Sequence, residues 1–503
     1  MHNFDAIVIG AGNAGLAAAT SLQRSGVNTL LLERHNIPGG CATSFVRGDF
    51  EFEVALHQLS GLGTEKRPFI MRQVFAQLGV MDKVEFIEEH TLYRFVVEGE
   101  MDITLPASWT GVKKELQRLY PAESDAIARF LKLCEQVSME FFLALPKAMK
   151  SDSEEALAKA CPNYSQYGLQ TSQNVLDEFF SDKQLKNIIS AYWVYLGVPP
   201  SELLFSDLAA LLYVYAAFKP WHIKGGSQAM SNALVESFLE AGGELKFNCP
   251  VEKIVTEEGR ATGVVIEGGE FISSHAVVSN ASPILTFNEL LDIEAPAAIT
   301  KDFYSRRMGP SAFAIYLGLD CTSKELGITT ASSFIAKTTD HEQVYDAMSS
   351  MQAPMGGMLT CYSHEDPDAA PEGKSQVVLV ALQYGEVWRN VATEEYAATK
   401  QDFAEQLIQL IETAVPNIRE HIEEMEIATP LTMMRYLNTP GGAIYGFKQN
   451  VQDSALLRGR MDDVPGLYMV GSWTGPGGFQ PTYMAGQSVA RRVKKQIAGA
   501  MSA

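Results

Sequence analysis

No two of the six cysteines in this 503-residue chain stand in a C-x-x-C spacing. Cys41, Cys134, Cys161, Cys249, Cys321 and Cys361 are scattered singly, which excludes a disulfide framework and reads as reduced thiols of a cytoplasmic protein. The nine histidines include no H-E-x-x-H and no Cys/His cluster, so no metal is expected. Positive charge is short as well: 40 Lys and Arg stand against 60 Asp and Glu, a net charge of −20, and nucleic acid is not an expected partner. The one dense basic run, Arg491-Arg492-Val493-Lys494-Lys495, suits the solvated end of a helix. Long apolar runs are missing too. The longest, Leu208 to Phe218 between Asp207 and Lys219, falls far short of the roughly 20 residues of a membrane span, and residues from Phe4 onward read as folded domain rather than as a leader peptide.

What is present begins at once. Ile7, Val8 and Ile9 form an apolar, β-branched run suited to a strand buried on both faces. Gly10, Gly12 and Gly15 follow in G-x-G-x-x-G spacing, then residues of helical composition up to Ser25-Gly26, a plausible C-cap. A second strand, Thr29 to Leu32, ends at Glu33. The first glycine permits the tight turn, the second a close approach to a pyrophosphate, the third close helix–strand packing, and the terminal acid suits a ribose hydroxyl. Strand, turn, helix, strand and acid agree on dinucleotide binding, where a lone glycine motif would not.

Further along, Pro38-Gly39-Gly40-Cys41-Ala42-Thr43-Ser44 supplies small residues against which a cofactor can lie, although a plain glycine loop reads the same way. Phe50 to Val54 alternates like a strand. Trp109 to Leu119, Ala122 to Val137 and Leu176 to Leu196 carry apolar residues at helical intervals. After Gly225-Gly226-Ser227 comes a helix from about Gln228 to Ala241, then four short strands between Glu244 and Ser279. Phe313 to Leu319 and Gln376 to Gln383 read as strands, and Ala398 to Ala414 as a helix. A last strand, Leu467 to Val470, runs through a glycine-rich turn into a helix with small residues at Ala485, Gly486, Ser488 and Ala490.

The N-terminal G-x-G-x-x-G with Glu33, the Gly39-Gly40 pair, the Gly225-Gly226-Ser227 helix start and the segment ending at Val470-Gly471 occur in one order across the chain. Together they resemble the FAD-dependent phytoene desaturase, carotene isomerase and retinol saturase family, within the amine oxidase-like flavoproteins. The resemblance implies an α/β fold: a Rossmann-like FAD-binding domain assembled from discontinuous segments, with an inserted mixed α+β substrate domain that includes a helical region. The expected divisions are 1–105, 219–289 and 431–503 for the FAD-binding domain, 106–218 for the helical region and 290–430 for the substrate sheet. It also implies that Gly10, Gly12, Asn13, Ala14 and Gly15 hold the FAD pyrophosphate, with Glu33 and neighbouring Arg34 at the ribose. Gly39, Gly40 and Ser44 would lie along the cofactor, the Val251 backbone at the adenine, and Gly471, Ser472, Met484 and Ala485 at the flavin end. The chain departs from the pattern in two places. Ser472-Trp473 stands where many relatives carry an acid, and Glu53-Val54-Ala55-Leu56-His57 lacks a glycine found in the isomerase and saturase branch. The segment Thr432 to Gly446 is similar to that branch.

Flavin carries its own redox chemistry, so no catalytic triad is required. The implied substrate is a polyene or other unsaturated lipid, whose double bonds would be saturated, introduced or isomerised. An amine oxidase-like flavoenzyme and a non-catalytic flavin-bound lipid carrier remain alternatives. His57 is a candidate proton donor or substrate contact, a satisfied buried histidine being the other reading. Tyr445 is a second candidate, with Arg435 and Trp473 behind it. There is no second G-x-G-x-x-G in strand–helix context, so NAD(P)H is expected, if at all, as a transient donor at the flavin. Phe141 to Leu145 and Leu208 to Phe218 read either as core or as a membrane-facing lipid entrance.

Overall fold

Ile7, Val8 and Ile9 lie in a strand, Phe4–Ile9, at the centre of a seven-stranded sheet. The computed structural model describes residues 3–149, 153–454, 461 and 463–501. Phe4–Ile9 pairs in parallel with Thr29–Leu32 on one side and Phe271–Ser279 on the other. Glu244–Lys246 extends the sheet beyond Thr29–Leu32, and Leu467–Met469 joins in parallel beside Phe271–Ser279. Because strand side chains alternate, Ala6 and Val8 enter the core under the helices Asn13–Arg24, Gly226–Glu240 and Phe479–Met501, while Ile7 and Ile9 enter the opposite one. Val251–Glu257 and Arg260–Ile266 complete the sheet as an antiparallel extension.

A second seven-stranded sheet runs in the order Ile422–Ala428, Ser311–Leu319, Ser375–Gln383, Gly356–Cys361, Ser332–Ala336, Thr91–Val97, Met101–Pro106. All its pairings are antiparallel except that of Ser332–Ala336 with Thr91–Val97. Two adjacent interior strands, Ser311–Leu319 and Ser375–Gln383, are buried at every residue. The helix Tyr396–Glu412 covers one face through Leu407 and Ile411; the helical region packs Phe130, Ile188, Tyr192 and Leu208 on the other.

The mixed α/β architecture matches the reading from sequence, with two departures. Thr91–Val97 and Met101–Pro106, placed by sequence in the first cofactor segment (1–105), pair in the second sheet. The helix expected over Leu176 to Leu196 is broken into Ser172–Phe179, Lys183–Ser190 and a 3₁₀ turn, Ala191–Tyr195. The break is local chemistry: the Asp182 side chain accepts from the Leu185 N–H at 2.9 Å, and such an N-cap starts a new helix whatever the apolar period. Among the described residues no helix is long and apolar enough to cross a membrane.

Candidate active site

The glycine turn is built so that side chains are excluded. Gly10 has φ +91°, and a Cβ on Gly15 would lie 1.9 Å from the Gly10 carbonyl oxygen. Gly12 precedes the helix Asn13–Arg24 with no side-chain cap, leaving first-turn N–H groups for an anion. Glu33, at the end of the second strand and buried, accepts from the Ala11 N–H at 2.6 Å and the His35 N–H at 2.8 Å. Each carboxylate oxygen keeps a lone pair for a hydroxyl. The Gly39 N–H donates to the Ala11 carbonyl at 2.8 Å, and a Cβ on Gly40 would lie 3.5 Å from the Gly12 Cα, so the second glycine pair lies against the first turn. The Cys249 N–H donates to the Glu33 carbonyl at 2.9 Å, which carries Val251, at the start of its strand, to the same end of the sheet. A cradle walled by backbone and closed by a carboxylate fits a dinucleotide.

The C-terminal segments return to this turn. The Tyr483 hydroxyl donates to Asn13 Oδ1 at 2.9 Å, and a Cβ on Gly486 would lie 2.5 Å from the Ala14 carbonyl oxygen, so the helix bearing Met484 and Ala485 packs directly on the first helix. Gly471 has φ +113° and abuts Asn280; Gly446, φ +79°, abuts the Ser472 carbonyl, which brings Tyr445 to the same place. Two expected cofactor residues are otherwise engaged. Ser44 hydrogen-bonds the Glu51 carboxylate across its own hairpin. Exposed Arg34 donates to the carbonyls of Arg435 and Tyr436, at 3.0 and 2.8 Å, at the end of the helix Pro430–Leu437. Of the weaker catalytic candidates, Arg435 is exposed, and Trp473 is buried edge-on to Phe447 at 5.0 Å.

Glu53 and His57 do not share a face. Glu53, 5% exposed, fills the N-terminus of the helix Gly226–Glu240, accepting from the Ser227 N–H and Oγ–H at 2.6 Å each and from the Leu56 N–H at 3.0 Å. The Gly225-Gly226-Ser227 helix start thus receives a protein carboxylate, whose pKa burial raises. His57 turns the other way: Nδ1 is 2.8 Å from the Thr360 hydroxyl, and the ring stacks on Tyr195 at 6.0 Å. Burial pushes its pKa down to about 4, so it is neutral at pH 7 and offers a hydrogen bond, not a cationic acid.

His57, Tyr195, Tyr445 and Cys41 lie near one another and are each only partly exposed. Burial raises the phenols of Tyr195 and Tyr445 and pushes the Cys41 thiol up to about 12, so every one of these groups is uncharged at pH 7. Behind the wall the Gln58 amide donates to Glu89 at 2.6 Å and its oxygen accepts from Tyr195 at 3.3 Å and Tyr192 at 3.4 Å. Glu89 is 1% exposed, and burial pushes its pKa up to about 8. Sequence reasoning missed Tyr195, Thr360, Gln58 and Glu89, because no local pattern marks them. Away from this cluster Asp320, Cys321 and His421 place three donor atoms within 4.8 Å of one another; the His421 Nδ1 already pairs with Asp320 at 2.8 Å.

A dinucleotide cradle with a cluster of buried aromatic side chains nearby suits a flavoprotein. The chain belongs to the flavin-containing amine oxidoreductase family, which matches residues 13–494, and flavin is the cofactor of that family. It is 27% identical to the all-trans-retinol 13,14-reductase of Danio rerio, covering 88% of this chain and 78% of the relative. The chloroplastic prolycopene isomerase of Daucus carota is 25% identical over 99% of this chain and 81% of its own length. The all-trans-zeta-carotene desaturase of Myxococcus xanthus is 26% identical over 98% and 93%. Among solved structures, an oxidoreductase from Methanosarcina mazei superposes with a TM-score of 0.65 at 18% identity, covering 97% of this chain and all of that one. Putrescine oxidase bound to putrescine superposes with a TM-score of 0.63 at 14% identity, covering 98% and 99%. These structural likenesses establish the fold.

Proposed function

We propose that the protein is an FAD-dependent enzyme acting on carbon–carbon double bonds of a polyene or other unsaturated lipid. The observation that carries this is the aromatic cluster in which His57 stacks on Tyr195 and Tyr195 packs on Phe334, a surface that suits a conjugated apolar chain. The sequence relatives named for a retinol reductase, a prolycopene isomerase and a carotene desaturase support the same substrate class.

In this reading the uncapped helix end after Gly12 and the Gly39-Gly40 backbone hold the FAD diphosphate, Glu33 the ribose, and Gly471, Ser472, Met484 and Ala485 the flavin side. Bound FAD supplies hydride or single-electron exchange with the conjugated chain. The protein's part is to hold the chain against that face, exclude water, and offer the Tyr445 hydroxyl where a proton is needed. With Nδ1 beside Thr360, Nε2 is the nitrogen of His57 left for a substrate contact. NAD(P)H docking transiently at the flavin would supply electrons for saturation.

Mass analysis of lipid extracts from a polyene-producing host, with and without the protein, tests the proposal. A product two hydrogens heavier means saturation, two lighter desaturation, and equal mass with altered retention isomerisation. Unchanged lipids beside oxidation of an added amine would replace it with an amine oxidase, and unchanged lipids with tight lipid binding would leave a flavin-bound carrier. We also propose peripheral membrane contact through the turn after Met139, where Leu143 and Met149 are 45% and 61% exposed.

A further inference from the structure

Outside the candidate site, one end of the second sheet gathers three side chains that the proposed chemistry leaves unused. Ser311–Leu319 runs antiparallel to Ile422–Ala428, with Leu319 opposite Ile422. One residue beyond that pair the Asp320 N–H donates to the His421 carbonyl at 3.0 Å, so the two strand ends stay tied where they leave the ladder. Neighbouring residues of an extended chain point to opposite faces, but this chain bends at Asp320 and Cys321. The bend lets both side chains converge on His421, and a carboxylate oxygen, a thiol sulfur and an imidazole nitrogen come within 4.8 Å of one another. Asp320 and His421 are 101 positions apart, so no spacing in the sequence announces the set.

The backbone beneath all three is held. The Ser375 hydroxyl donates to the Cys321 carbonyl at 2.7 Å, and Glu325 closes the turn that follows by accepting from the Thr322 N–H at 2.8 Å and hydroxyl at 2.7 Å. His421 ends the 3₁₀ turn Ile418–His421, whose Ile418 is fully buried. Cys321 is the deepest member: it is a free cysteine, 7% exposed, and among the described residues its sulfur has no hydrogen-bond partner. The His421 and Asp320 side chains, 38% and 57% exposed, meet at 2.8 Å between Nδ1 and Oδ1. Ligands at about 2.0–2.3 Å from a tetrahedral zinc ion lie roughly 3.3–3.8 Å from one another. The observed separations, from 2.8 Å to at most 4.8 Å, bracket that spacing, and rotation of the two exposed side chains closes the set.

We propose that Asp320, Cys321 and His421 form a binding site for a divalent cation of the zinc class, with water in the fourth position. Thiolate, imidazole and carboxylate together suit zinc, whereas magnesium and calcium take shells of oxygen. On binding, the ion replaces the proton that His421 shares with Asp320, and the Cys321 thiol gives up its proton to solvent. Glu325 faces both Cys321 and His421, and Lys374 faces Asp320, so negative charge prevails around the ion. The bound cation fastens the end of Ser311–Leu319 to the start of Ile422–Ala428. It stabilises the folded chain because the unfolded one holds no such set together.

The test takes the flavin-loaded full-length protein, strips it with a chelator and titrates it with zinc against a chromophoric competitor, then with cobalt as a spectroscopic probe. One zinc per chain is expected, and the cobalt form is expected to show the near-ultraviolet charge-transfer band of a thiolate ligand. Cys321→Ser is expected to abolish that band. Cys321→Ser and His421→Asn are each expected to weaken zinc binding by more than the roughly 10–100-fold that loss of an outer partner of a metal site costs, with the flavin-to-protein ratio unchanged. Saturating zinc is expected to raise the Tm of the parent and to leave that of either variant where it was. Should Cys321→Ser fail to fold, His421→Asn, at a surface position, decides the matter. Absence of zinc binding, a cobalt form without the thiolate band, or zinc bound equally by the parent and His421→Asn overturns the proposal, the last outcome meaning an adventitious ion only.

Discussion

Glu89 is a carboxyl group shut away from water beside a glutamine amide, and burial pushes its pKa up to about 8 from an ordinary 4.5. The folded protein therefore holds this proton more tightly than the unfolded chain, and the stability linked to it is full below pH 4.5 and lost as pH rises to about 8. The slope is at most about 1.4 kcal/mol per pH unit. Glu89→Gln keeps the shape and an acceptor for Gln58, so denaturant titrations are expected to show the variant gaining on the parent as pH rises through that window. His57 gives the opposite expectation. With a pKa near 4 it is already neutral, so His57→Asn is expected to lower turnover without adding or removing an ionisation between about pH 6 and 8 in the kcat/KM profile. Gly10, Gly12, Gly15 and Glu33 were legible in sequence because their geometry is set within one βαβ unit. Thr360, 303 positions from the histidine it holds, and Tyr195, 137 from the glutamine it meets, carry no local signature; only the folded chain brings them together.

Among the elements, the helices Asn13–Arg24 and Phe479–Met501 approach each other closely. At Gly486 a Cβ would lie 2.5 Å from the Ala14 carbonyl and 2.7 Å from the Ala17 Cβ, and neither backbone can yield without moving the glycine turn. Gly486→Leu is expected to cost about 1–3 kcal/mol by overpacking and to lower the flavin absorbance of the purified protein along with its Tm. An unchanged flavin-to-protein ratio would sink this account of the cradle. Strands buried on both faces, such as Ser311–Leu319 and Ser375–Gln383, were easy to read because continuous β-branched and aliphatic runs leave little else to form. Partnership was harder to read than existence. Thr91–Val97 and Met101–Pro106 look like any hairpin, and which sheet they extend is decided by Ser332–Ala336, more than two hundred residues later. The helix Leu176 to Leu196 failed for a different reason, since a single Asp182 cap outweighed the apolar period.

On the scale of the whole molecule, Leu143 and Met149 point outward from the helical region while Phe141 and Phe142 are half-buried behind them. Leu143→Asp combined with Met149→Asp is expected to reduce flotation with liposomes several-fold at unchanged flavin content, each apolar side chain contributing about 1.5–3 kcal/mol when fully withdrawn from water. A parent protein that stays wholly in the aqueous fraction would end the membrane proposal.

The threading of the first sheet has a further consequence, for biosynthesis. Phe4–Ile9 leaves the ribosome ahead of its neighbour Phe271–Ser279, which follows about 270 residues later, and of the helix that packs on the glycine turn, which starts at Phe479. At roughly 5–20 residues per second, the opening strand and its glycine turn wait tens of seconds for partners that bury them. The complete cradle is thus assembled only after Phe479–Met501 has been made, and until then Ile7, Val8 and Ile9 lack the neighbours that bury them.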